Sequence, residues 1–454
     1  MRPVDTPAGT WLTDQMPETL SAQEAAARIG VRDTLGLALG PGQPPAFLGA
    51  LGERDDCEEL RVVGALLAVG TALFSHPNVH YVSGFWGPLE RMLRDSGANI
   101  TFAAADFRRL APLLEAVRPD VMATAASPPD SEGWCSLSLH AGGTIPELRR
   151  AGADPGRTLV IEASARFPRT SGLPPEHRHA LHVDEIDLLV ESDDGPIALP
   201  DFIPRPVHTA IARHAAAMIP DGATLQTGIG LIPSAIAAQL AAGDGEGYGV
   251  HSEMFTEGLM QLHEAGKVTN LGKGQFDGVS IVTFAMGSER LYRWLHENEE
   301  VAFLPVEIVN SPEVIGGNED MVTINGALAI DIHGQVVADT IAGDQFSGIG
   351  GAEDFVSGPG LSAADRSLLC LPSTTTVDGR PRSRIVPWHE AGAVITVPRH
   401  QVDAVVTEYG VAELEGKTPH QRGEALAAVA HPDFRDELLE AAARASKGRS
   451  PVGP

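Results

Sequence analysis

The sequence predicts an α/β protein made of two related open lobes. Three observations favour this fold class: strand-like and helix-like segments alternate along both halves, the same order of elements occurs twice, and a proline-rich segment separates the two copies. Alternation of this kind is typical of βαβ units and largely parallel sheets. A chain of 454 residues also exceeds what one hydrophobic core usually supports. We therefore expect two domains, residues 1–200 and residues 201–454.

The repeat is clearest at the start of each half. The first copy predicts a helix at 21–29, a glycine-ended strand at 31–40, a proline-containing turn, a helix to residue 51 and a strand at 60–67. The second copy predicts a helix at 208–219, a glycine-ended strand at 220–230, a helix at 232–240 and a strand that ends near Glu253. Self-similarity over such a long period indicates a diverged internal duplication. The first copy has Val63-Gly-Ala-Leu-Leu67 where the second has His251-Ser-Glu-Met254, so only the second can carry the carboxylate.

The remaining segments complete the two predicted sheets. Further strands are expected at 100–104, 121–126, 158–161 and 188–191 in the first half and at 280–284, 301–304 and 322–332 in the second, with a helix at 107–117. Segment 194–206 has four prolines and no apolar periodicity, which predicts a linker. The polar tail at 441–454 is expected to fray.

Composition restricts the classes of function. The formal net charge of −27 argues against nucleic acid as a partner, because phosphate binding needs clustered Lys and Arg. No apolar run is long enough to cross a bilayer, and residues 1–18 lack a signal-peptide pattern. Cys57, Cys135 and Cys370 are few and far apart, which fits a reducing cytoplasm better than a disulfide framework or a zinc site. We expect a cytoplasmic protein with no nucleic-acid, membrane or metal partner.

The stretch Tyr248 to Gly258 contains the leading catalytic candidate. Glu253 lies between a predicted strand end and a predicted helix at 255–265, and His251 should share its face because alternate side chains of an extended segment point the same way. Open α/β sheets bind ligands in the crevice at the carboxyl ends of their strands, where a carboxylate can act as nucleophile or base. On spacing alone a simpler interpretation is favoured, in which Glu253 only interacts with the positive end of the helix dipole.

Two glycine-rich turns and two asparagines of the second half are further candidates. Gly228-Ile-Gly230 ends a strand and opens a helix, which suits close approach of a phosphate, although a tight turn explains it more simply. Gly348-Ile-Gly-Gly351 can aim consecutive N–H groups at one oxygen, or serve as a hinge. Asn310 and Asn325 could bind a carbonyl or hydroxyl, or only form turns. Lys273 and Arg384 are interpreted as solvated surface charges, with phosphate or carboxylate contacts as the alternative.

Together these stretches resemble the acetyl-CoA hydrolase/transferase family, the class I coenzyme A transferases of the 4-hydroxybutyrate or acetate type. The matching segments of the second half are Gly228-Ile-Gly-Leu-Ile-Pro233, Gly249-Val-His-Ser-Glu-Met254, Ile324-Asn-Gly-Ala-Leu328, Ser347-Gly-Ile-Gly-Gly351, Ser383-Arg-Ile-Val-Pro387, Val406-Thr-Glu-Tyr-Gly-Val-Ala412 and Ala430-His-Pro-Asp-Phe-Arg435. In the first half Ser127-Pro-Pro-Asp-Ser-Glu-Gly-Trp-Cys-Ser136 and Phe167-Pro-Arg-Thr170 fit. Glu162-Ala-Ser164 departs from the family pattern, which has an asparagine there. This departure concerns the acyl-acceptor pocket rather than the chemistry.

The resemblance implies a CoA-transferase with its active site at the lobe interface and Glu253 as the nucleophile, acting through a glutamyl-CoA thioester. By similarity, the turn that contacts CoA would consist of Gly228, Ile229, Gly230, Leu231 and Ile232. Gly350 and Gly351 would supply the oxyanion N–H groups and part of the CoA wall. Asn310 or Asn325 would contact the acyl or CoA carbonyl. The implied partners are an acyl-CoA, a small carboxylate of the acetate, butyrate or 4-hydroxybutyrate class, and a second copy of the chain in a homodimer. Coenzyme A would be a substrate, with no permanently bound cofactor. A carboxylate is normally ionised at neutral pH, so the chemistry requires neither metal nor base.

Three other functions remain open at this stage. An acyl-CoA hydrolase would let water intercept the same intermediate. A sugar-phosphate isomerase of related fold and a non-catalytic acyl-CoA-binding protein are both disfavoured by the combination of Glu253 with two glycine-rich loops. The absence of H-E-x-x-H and Gly-x-Ser-x-Gly disfavours a zinc hydrolase and a serine hydrolase elbow.

Overall fold

The protein is described by a computed structural model that covers residues 17–200, 203–360, 362 and 364–445. In the first half the strands are β1 (Glu18–Leu20), β2 (Thr34–Leu37), β3 (Leu60–Gly64), β4 (Val79–Ser83), β5 (Ile100–Phe102), β6 (Val121–Ala126), β7 (Trp134–Ser136), β8 (Thr158–Ala163), β9 (Ala180–His182) and β10 (Leu188–Glu191). The helices there are α1 (Ala22–Ala27), α2 (Pro45–Gly52), α3 (Pro88–Asp95), α4 (Leu110–Val117) and α5 (Ile145–Ala153).

The second half has more short strands. They are β11 (Thr224–Thr227), β12 (Gly249–Val250), β13 (Met254–Phe255), β14 (Ser280–Val282), β15 (Phe284–Ala285), β16 (Val301–Phe303), β17 (Met321–Gly326), β18 (Ala329–Asp331), β19 (Val336–Val337), β20 (Thr340–Ile341), β21 (Asp344–Gln345), β22 (Arg366–Cys370), β23 (Thr374–Val377), β24 (Arg380–Ser383), β25 (Ile385–Val386), β26 (Ala404–Thr407) and β27 (Gly410–Glu413). The helices are α6 (Pro206–Ala216), α7 (Leu231–Ala242), α8 (Glu257–Glu264), α9 (Glu289–Leu295), α10 (Val306–Val309), α11 (Pro312–Ile315), α12 (Ala352–Ser357), α13 (Pro419–Val429) and α14 (Arg435–Ala445).

Each half is organised around one largely parallel sheet. The first sheet has the order β1-β10-β8-β6-β2-β3-β4-β5, with every neighbouring pair parallel. The second has the order β12-β11-β17-β22-β26-β27 and is parallel except for the final β26–β27 hairpin. Starting from β3 and from β12 respectively, five strands follow in the same topological sequence, and the sixth differs: it is the parallel strand β1 in the first sheet and the antiparallel strand β27 in the second. The fold class predicted from the repeat, two related α/β lobes, is confirmed.

The register of the strands aligns the two copies residue by residue. Leu35 of β2 lies beside Val62 of β3, and Leu225 of β11 lies beside Val250 of β12. Three residues after Val62 and Val250 come Ala65 and Glu253. The first copy therefore has an alanine at the position where the second has its candidate nucleophile.

A hydrophobic core joins the two halves. One buried cluster contains Leu159 and Ile161 of β8 together with Leu225 of β11 and Leu368 of β22. The intervening Val160 points to the opposite face of β8 and belongs to a separate first-half cluster. Because the largest core is shared, the division into domains at residue 200 stays a prediction. The linker prediction at 194–206 includes residues 201 and 202, which lie outside the described residues, as does most of the tail at 441–454.

Two predicted strands of the second half are each broken in the structure. Segment 280–284 divides at Thr283, whose N–H donates to the Glu253 carbonyl (2.9 Å) and whose own carbonyl accepts from Ala141 (2.6 Å). Segment 322–332 divides after Gly326 into β17 of the large sheet and β18 of a three-stranded sheet. An apolar pattern shows that a segment is buried but not which partner it pairs with, so continuity was the wrong prediction in both places.

Candidate active site

Glu253 occupies a segment that leaves the edge of the second sheet. β12 ends at Val250, and β13 pairs with β15 in a separate two-stranded sheet. The Ser252 hydroxyl donates to the Thr227 carbonyl (3.1 Å) and to the Met254 carbonyl (2.9 Å). The nucleophile candidate is therefore fixed directly to the end of β11, where the 228–232 turn begins.

A loop behind this segment closes the open edge of β12. The Asn270 side chain accepts from the Val250 N–H (2.9 Å), and Lys273 Nζ donates to the carbonyls of Val250 (3.0 Å) and Val279 (2.6 Å). Lys273 is only 1% exposed, and its burial lowers the pKa of the ammonium to about 7. The interpretation of Lys273 as a solvated surface charge is wrong, because its charge is directed into the sheet edge to satisfy backbone carbonyls.

His251 and Glu253 contact two consecutive residues at the end of helix α10, Val309 and Asn310, which fits the expected shared face. His251 is fully buried and its Nε2–H donates to the Val309 carbonyl (2.8 Å). Burial lowers the pKa of this imidazole to about 4, so it is neutral at physiological pH. His251 thus holds the backbone beside Asn310 rather than exchanging protons with substrate.

The Glu253 carboxylate lies among amide and backbone donors. Asn310 Nδ2 donates to Glu253 Oε2 (2.8 Å), and Gly351 contributes a backbone hydrogen bond. A Cβ placed on Gly351 would overlap both Glu253 Oε2 and Asn310 Nδ2, so only glycine fits. Burial, followed by the negative charge of Asp354, raises the pKa of Glu253 to about 7, although the hydrogen bonds from Asn310 and Gly351 oppose the shift. The sequence gives no sign of this shift, which predicts that the carboxylate is only partly ionised at neutral pH.

Asp354 and Arg108 join this cluster and were not predicted from the sequence. Asn310 Nδ2 also donates to Asp354 Oδ2 (3.2 Å), and Arg108 Nε lies 3.0 Å from Asp354 Oδ1. The Asp354 side chain has no exposed surface, and burial raises its pKa to about 7 against the opposing effects of Asn310 and Arg108. Asp354 follows the predicted glycine loop by three residues, but Arg108 belongs to the other half, and no local pattern connects the two.

The glycine loop is attached to the first half of the chain. Gly350 has φ +57°, and its carbonyl accepts from the Phe107 N–H (3.0 Å). Arg91 of helix α3 donates to the Phe346 carbonyl (2.6 Å) and lies over the Phe346 ring. The cluster of Glu253, Asn310 and Gly351 consequently lies where the two halves meet.

The other predicted residues line a neighbouring cavity of about 330 Å³. Its wall includes Asn325, Arg205, Arg384 and, from the predicted turn, Gly228, Ile229, Gly230, Leu231 and Ile232. Gly230 has φ +124° and immediately precedes the 12-residue helix α7. Asn325 makes amide contacts with Gln226 at 3.4 Å, so of the two candidate asparagines it is Asn310 that contacts Glu253. Arg384 is half-buried rather than solvated, because it lines this cavity and donates to the Ala327 carbonyl (3.4 Å).

The described part of the chain contains neither a cluster of metal-ligating side chains nor a membrane-spanning helix. Across residues 17–200, 203–360, 362 and 364–445, no group of three or more His, Cys, Asp or Glu side chains could hold a metal ion. Within the same ranges, no helix combines the length and apolar character needed to span a bilayer.

A carboxylate where two lobes meet, faced by amide and backbone donors and near a cavity at a helix N-terminus, has the geometry that acyl transfer requires. The family model for the acetyl-CoA hydrolase/transferase C-terminal domain matches residues 287–442. A 4-hydroxybutyrate coenzyme A transferase of Clostridium kluyveri is 34% identical over 437 residues, which is 94% of this chain and 98% of that protein. A succinyl-CoA:cyclohexane-1-carboxylate CoA transferase of Geobacter metallireducens is 34% identical over 432 residues, covering 94% of this chain and 95% of that one.

Solved structures agree with the sequence comparisons. RipA from Yersinia pestis superposes with a TM-score of 0.86 at 32% identity, covering 94% of this chain and 97% of that chain. The chain therefore belongs to the acetyl-CoA hydrolase/transferase family and has its α/β CoA-transferase fold. It is an enzyme of the CoA-transferase class.

Proposed function

We propose that the enzyme moves coenzyme A between an acyl-CoA and a small free carboxylate through a glutamyl-CoA thioester on Glu253. The observation that carries this proposal is the position of the Glu253 carboxylate, 2.8 Å from Asn310 Nδ2 and packed against Gly351, beside a cavity at a helix N-terminus. The acetate, butyrate and 4-hydroxybutyrate class is the proposed range of acceptors. We further propose that the protein is cytoplasmic and forms a homodimer. Light scattering of the purified protein would test the homodimer.

The chemistry balances without a metal or an external base. A Glu253 oxygen attacks the acyl-CoA carbonyl and expels the CoA thiolate, which gives a mixed anhydride. The thiolate then attacks the Glu253 carbonyl of that anhydride, which forms the thioester and releases the first carboxylate. A second carboxylate attacks the thioester and expels the thiolate, and the thiolate attacks the new acyl group to release acyl-CoA and the Glu253 carboxylate.

The donors around Glu253 suit the charge that develops in these steps. Each tetrahedral intermediate places negative charge on one oxygen, and one well-placed donor stabilises it by about 3–4 kcal/mol. The Gly351 N–H and the Asn310 amide are the two donors that face the carboxylate. Their positions favour stabilising the oxyanion that forms on the Glu253 carbonyl.

The neighbouring cavity suits the coenzyme. The N-terminus of helix α7 offers backbone N–H groups and a positive dipole end, which attract anions and polar chains. Arg205 and Arg384 add positive charge to the same wall in an otherwise acidic protein. We therefore assign the pantetheine and phosphate portions of CoA to this cavity.

The decisive experiment is to trap the intermediate. Incubation with acyl-CoA should add the mass of CoA less one water to the peptide that contains Glu253, and borohydride should reduce that thioester to an alcohol. An adduct on any other residue contradicts the proposal.

A second assay separates the transferase from a hydrolase that uses the same site. Radiolabelled carboxylates are supplied against a panel of acyl-CoAs, with and without acceptor. Turnover that requires an acceptor supports the transferase, whereas equal turnover in water alone identifies a hydrolase.

A further inference from the structure

Asp354 has no role in the steps above, yet it is the most completely buried carboxylate beside the nucleophile. It shares one amide group with Glu253: Asn310 Nδ2 lies 2.8 Å from Glu253 Oε2 and 3.2 Å from Asp354 Oδ2. Asn310 is itself fully buried, and its Oδ1 atom has no hydrogen-bond partner among the described residues. An amide held only by its NH₂ group depends on the two carboxylates for its orientation.

The orientation of Asp354 depends in turn on the first half of the chain. Arg108 Nε lies 3.0 Å from Asp354 Oδ1, while its Nη2 lies 3.9 Å from Asp106 Oδ2. The charged groups that act on Asp354 are Arg108, Asp106, its neighbour Glu353 and, through the shared amide, Glu253. Arg108 is the one cation among them, so it offsets the repulsion within this acidic cluster.

We propose that Asp354, anchored by Arg108, is a positioning residue that directs the Asn310 amide at the reacting Glu253 carboxyl. The proposal rests on the proposed function of Glu253. One N–H of Asn310 is bound by Asp354, which fixes the amide plane and leaves the other N–H aimed at Glu253. When Glu253 becomes the anhydride or the thioester, its carbonyl oxygen remains opposite that second N–H. Contact between the halves is thus built into the geometry of the donor.

A second effect of Asp354 is electrostatic. Burial is the largest cause of the raised pKa of Glu253, and the negative charge of Asp354 raises it further. Removing that charge should lower the pKa of Glu253, so the acidic limb of the pH–rate profile moves to lower pH. Loss of orientation and loss of charge therefore act on different observables, namely the turnover number and the position of the limb.

The test replaces Asp354 by asparagine and measures kcat, KM for acyl-CoA and the pH profile. We expect kcat to fall about tenfold or more, with KM changed much less, because the interaction strengthens in the transition state. The acidic limb should move towards lower pH. In an Asn310→Ala background the same substitution should have little further effect on kcat, because Asp354 acts through that amide. An unchanged kcat, or a loss that is fully additive with Asn310→Ala, overturns the proposal.

Three further variants keep the test decisive. If Asp354→Asn does not fold, Arg108→Gln must lower kcat with KM nearly unchanged, and Arg108→Lys must restore part of the loss. An unaltered kcat in Arg108→Gln then overturns the proposal.

Asp331→Asn is the matched control, since Asp331 is also a buried aspartate but accepts from His333 and Gln335 N–H groups in a separate turn. It should lower stability and leave the acidic limb in place. If the wild-type enzyme gives no CoA adduct on Glu253, the proposed function fails; if it does and Asp354→Asn behaves as wild type, only this inference fails.

Discussion

The helix that follows the first strand of each repeat begins in two different environments. In the first half, Glu162 accepts hydrogen bonds from the Ala46 (3.2 Å) and Phe47 (2.9 Å) N–H groups in the first turn of α2. Strand register places Cys370 of β22 at the position of Glu162 in β8. A cavity lined by Cys370 and the start of α7 lies there instead. One copy fills its helix N-terminus with its own carboxylate, and the other leaves space for a ligand.

The sheet edges differ as well. The first sheet continues beyond β3 to β4 and β5. The second sheet ends at β12, whose open edge is bound by Asn270 and Lys273. Because the second sheet ends at β12, the chain leaves the sheet after Val250 and carries Glu253 out of it. The residue that corresponds to Glu253 in the first half is Ala65. The comparison indicates how one topology yields a structural first lobe and a reactive second lobe. The second lobe differs in two features, a helix N-terminus without a carboxylate of its own and a sheet with fewer strands.

The largest effect should come from replacing Glu253, the glutamate of the second half. Glu253→Gln should lower kcat by at least about a thousandfold while CoA binding persists, because a neutral amide cannot attack the thioester. Steady-state kinetics and calorimetric titration with CoA measure both quantities. Near-normal turnover in this variant would remove Glu253 from the mechanism.

Glu162→Gln is the matched control for that substitution. We expect turnover within about twofold of wild type. The free energy of unfolding should fall by about 1 kcal/mol, because an amide oxygen accepts weaker hydrogen bonds from the start of a helix than a carboxylate does. Urea unfolding measures the loss. A large fall in kcat at unchanged stability would mean that the first half contributes directly to the chemistry.

Gly351→Ala should reduce kcat by about a hundredfold, the scale of one oxyanion donor. The added methyl group would overlap Glu253 Oε2 and Asn310 Nδ2, so the loop must shift and its N–H with it. KM for acyl-CoA should change far less. Gly49→Ala in helix α2 is the control, since its Cβ meets no atom of the described residues within 4 Å and turnover should be unaffected. Preserved kcat with a collapse in affinity would assign the loop to the CoA wall alone.

Gly230→Val should weaken CoA binding by about tenfold, or about 1.4 kcal/mol. A β-branched residue resists the φ of +124°, and its side chain would obstruct the cavity at helix α7. The counterpart Gly40→Val should instead destabilise the fold, because Met286 Cε lies 3.1 Å and Leu66 Cδ2 3.3 Å from the Cβ position. Equal dissociation constants for wild type and Gly230→Val, in a folded protein, would make the second turn purely structural.

The smallest expected effect is in the dependence of rate on pH. Only ionised Glu253 attacks, and its raised pKa of about 7 means that the ionised fraction grows as pH rises through neutrality. The value of kcat/KM should therefore increase by up to about tenfold between about pH 6 and pH 8. Glu162→Gln should keep the same profile. A flat profile over this interval would show that Glu253 is ionised throughout.

The local elements of the fold could be predicted from the sequence, and their partners could not. The strand, glycine turn and helix at 224–242 follow from apolar runs broken by Gly228 and Gly230. The pairing of β18 with β25 joins Ile330 to Ile385, which lie far apart in sequence. The candidate site shows the same limit: Glu253 and the glycine loop have local signatures, whereas Arg108 reaches Asp354 from the other half. Lys273 was misinterpreted because composition does not reveal that two carbonyls face its ammonium group.

The core shared by the two sheets has a consequence for how this chain folds. Leu159 and Ile161 are buried against the same cluster as Leu225 and Leu368, so neither half can shield its apolar surface without the other. Unfolding should then be one cooperative transition in which both lobes are lost together, rather than two separable melting steps. During synthesis the first half leaves the ribosome with an apolar face uncovered. Until the second half arrives, that face is a site for aggregation or chaperone binding.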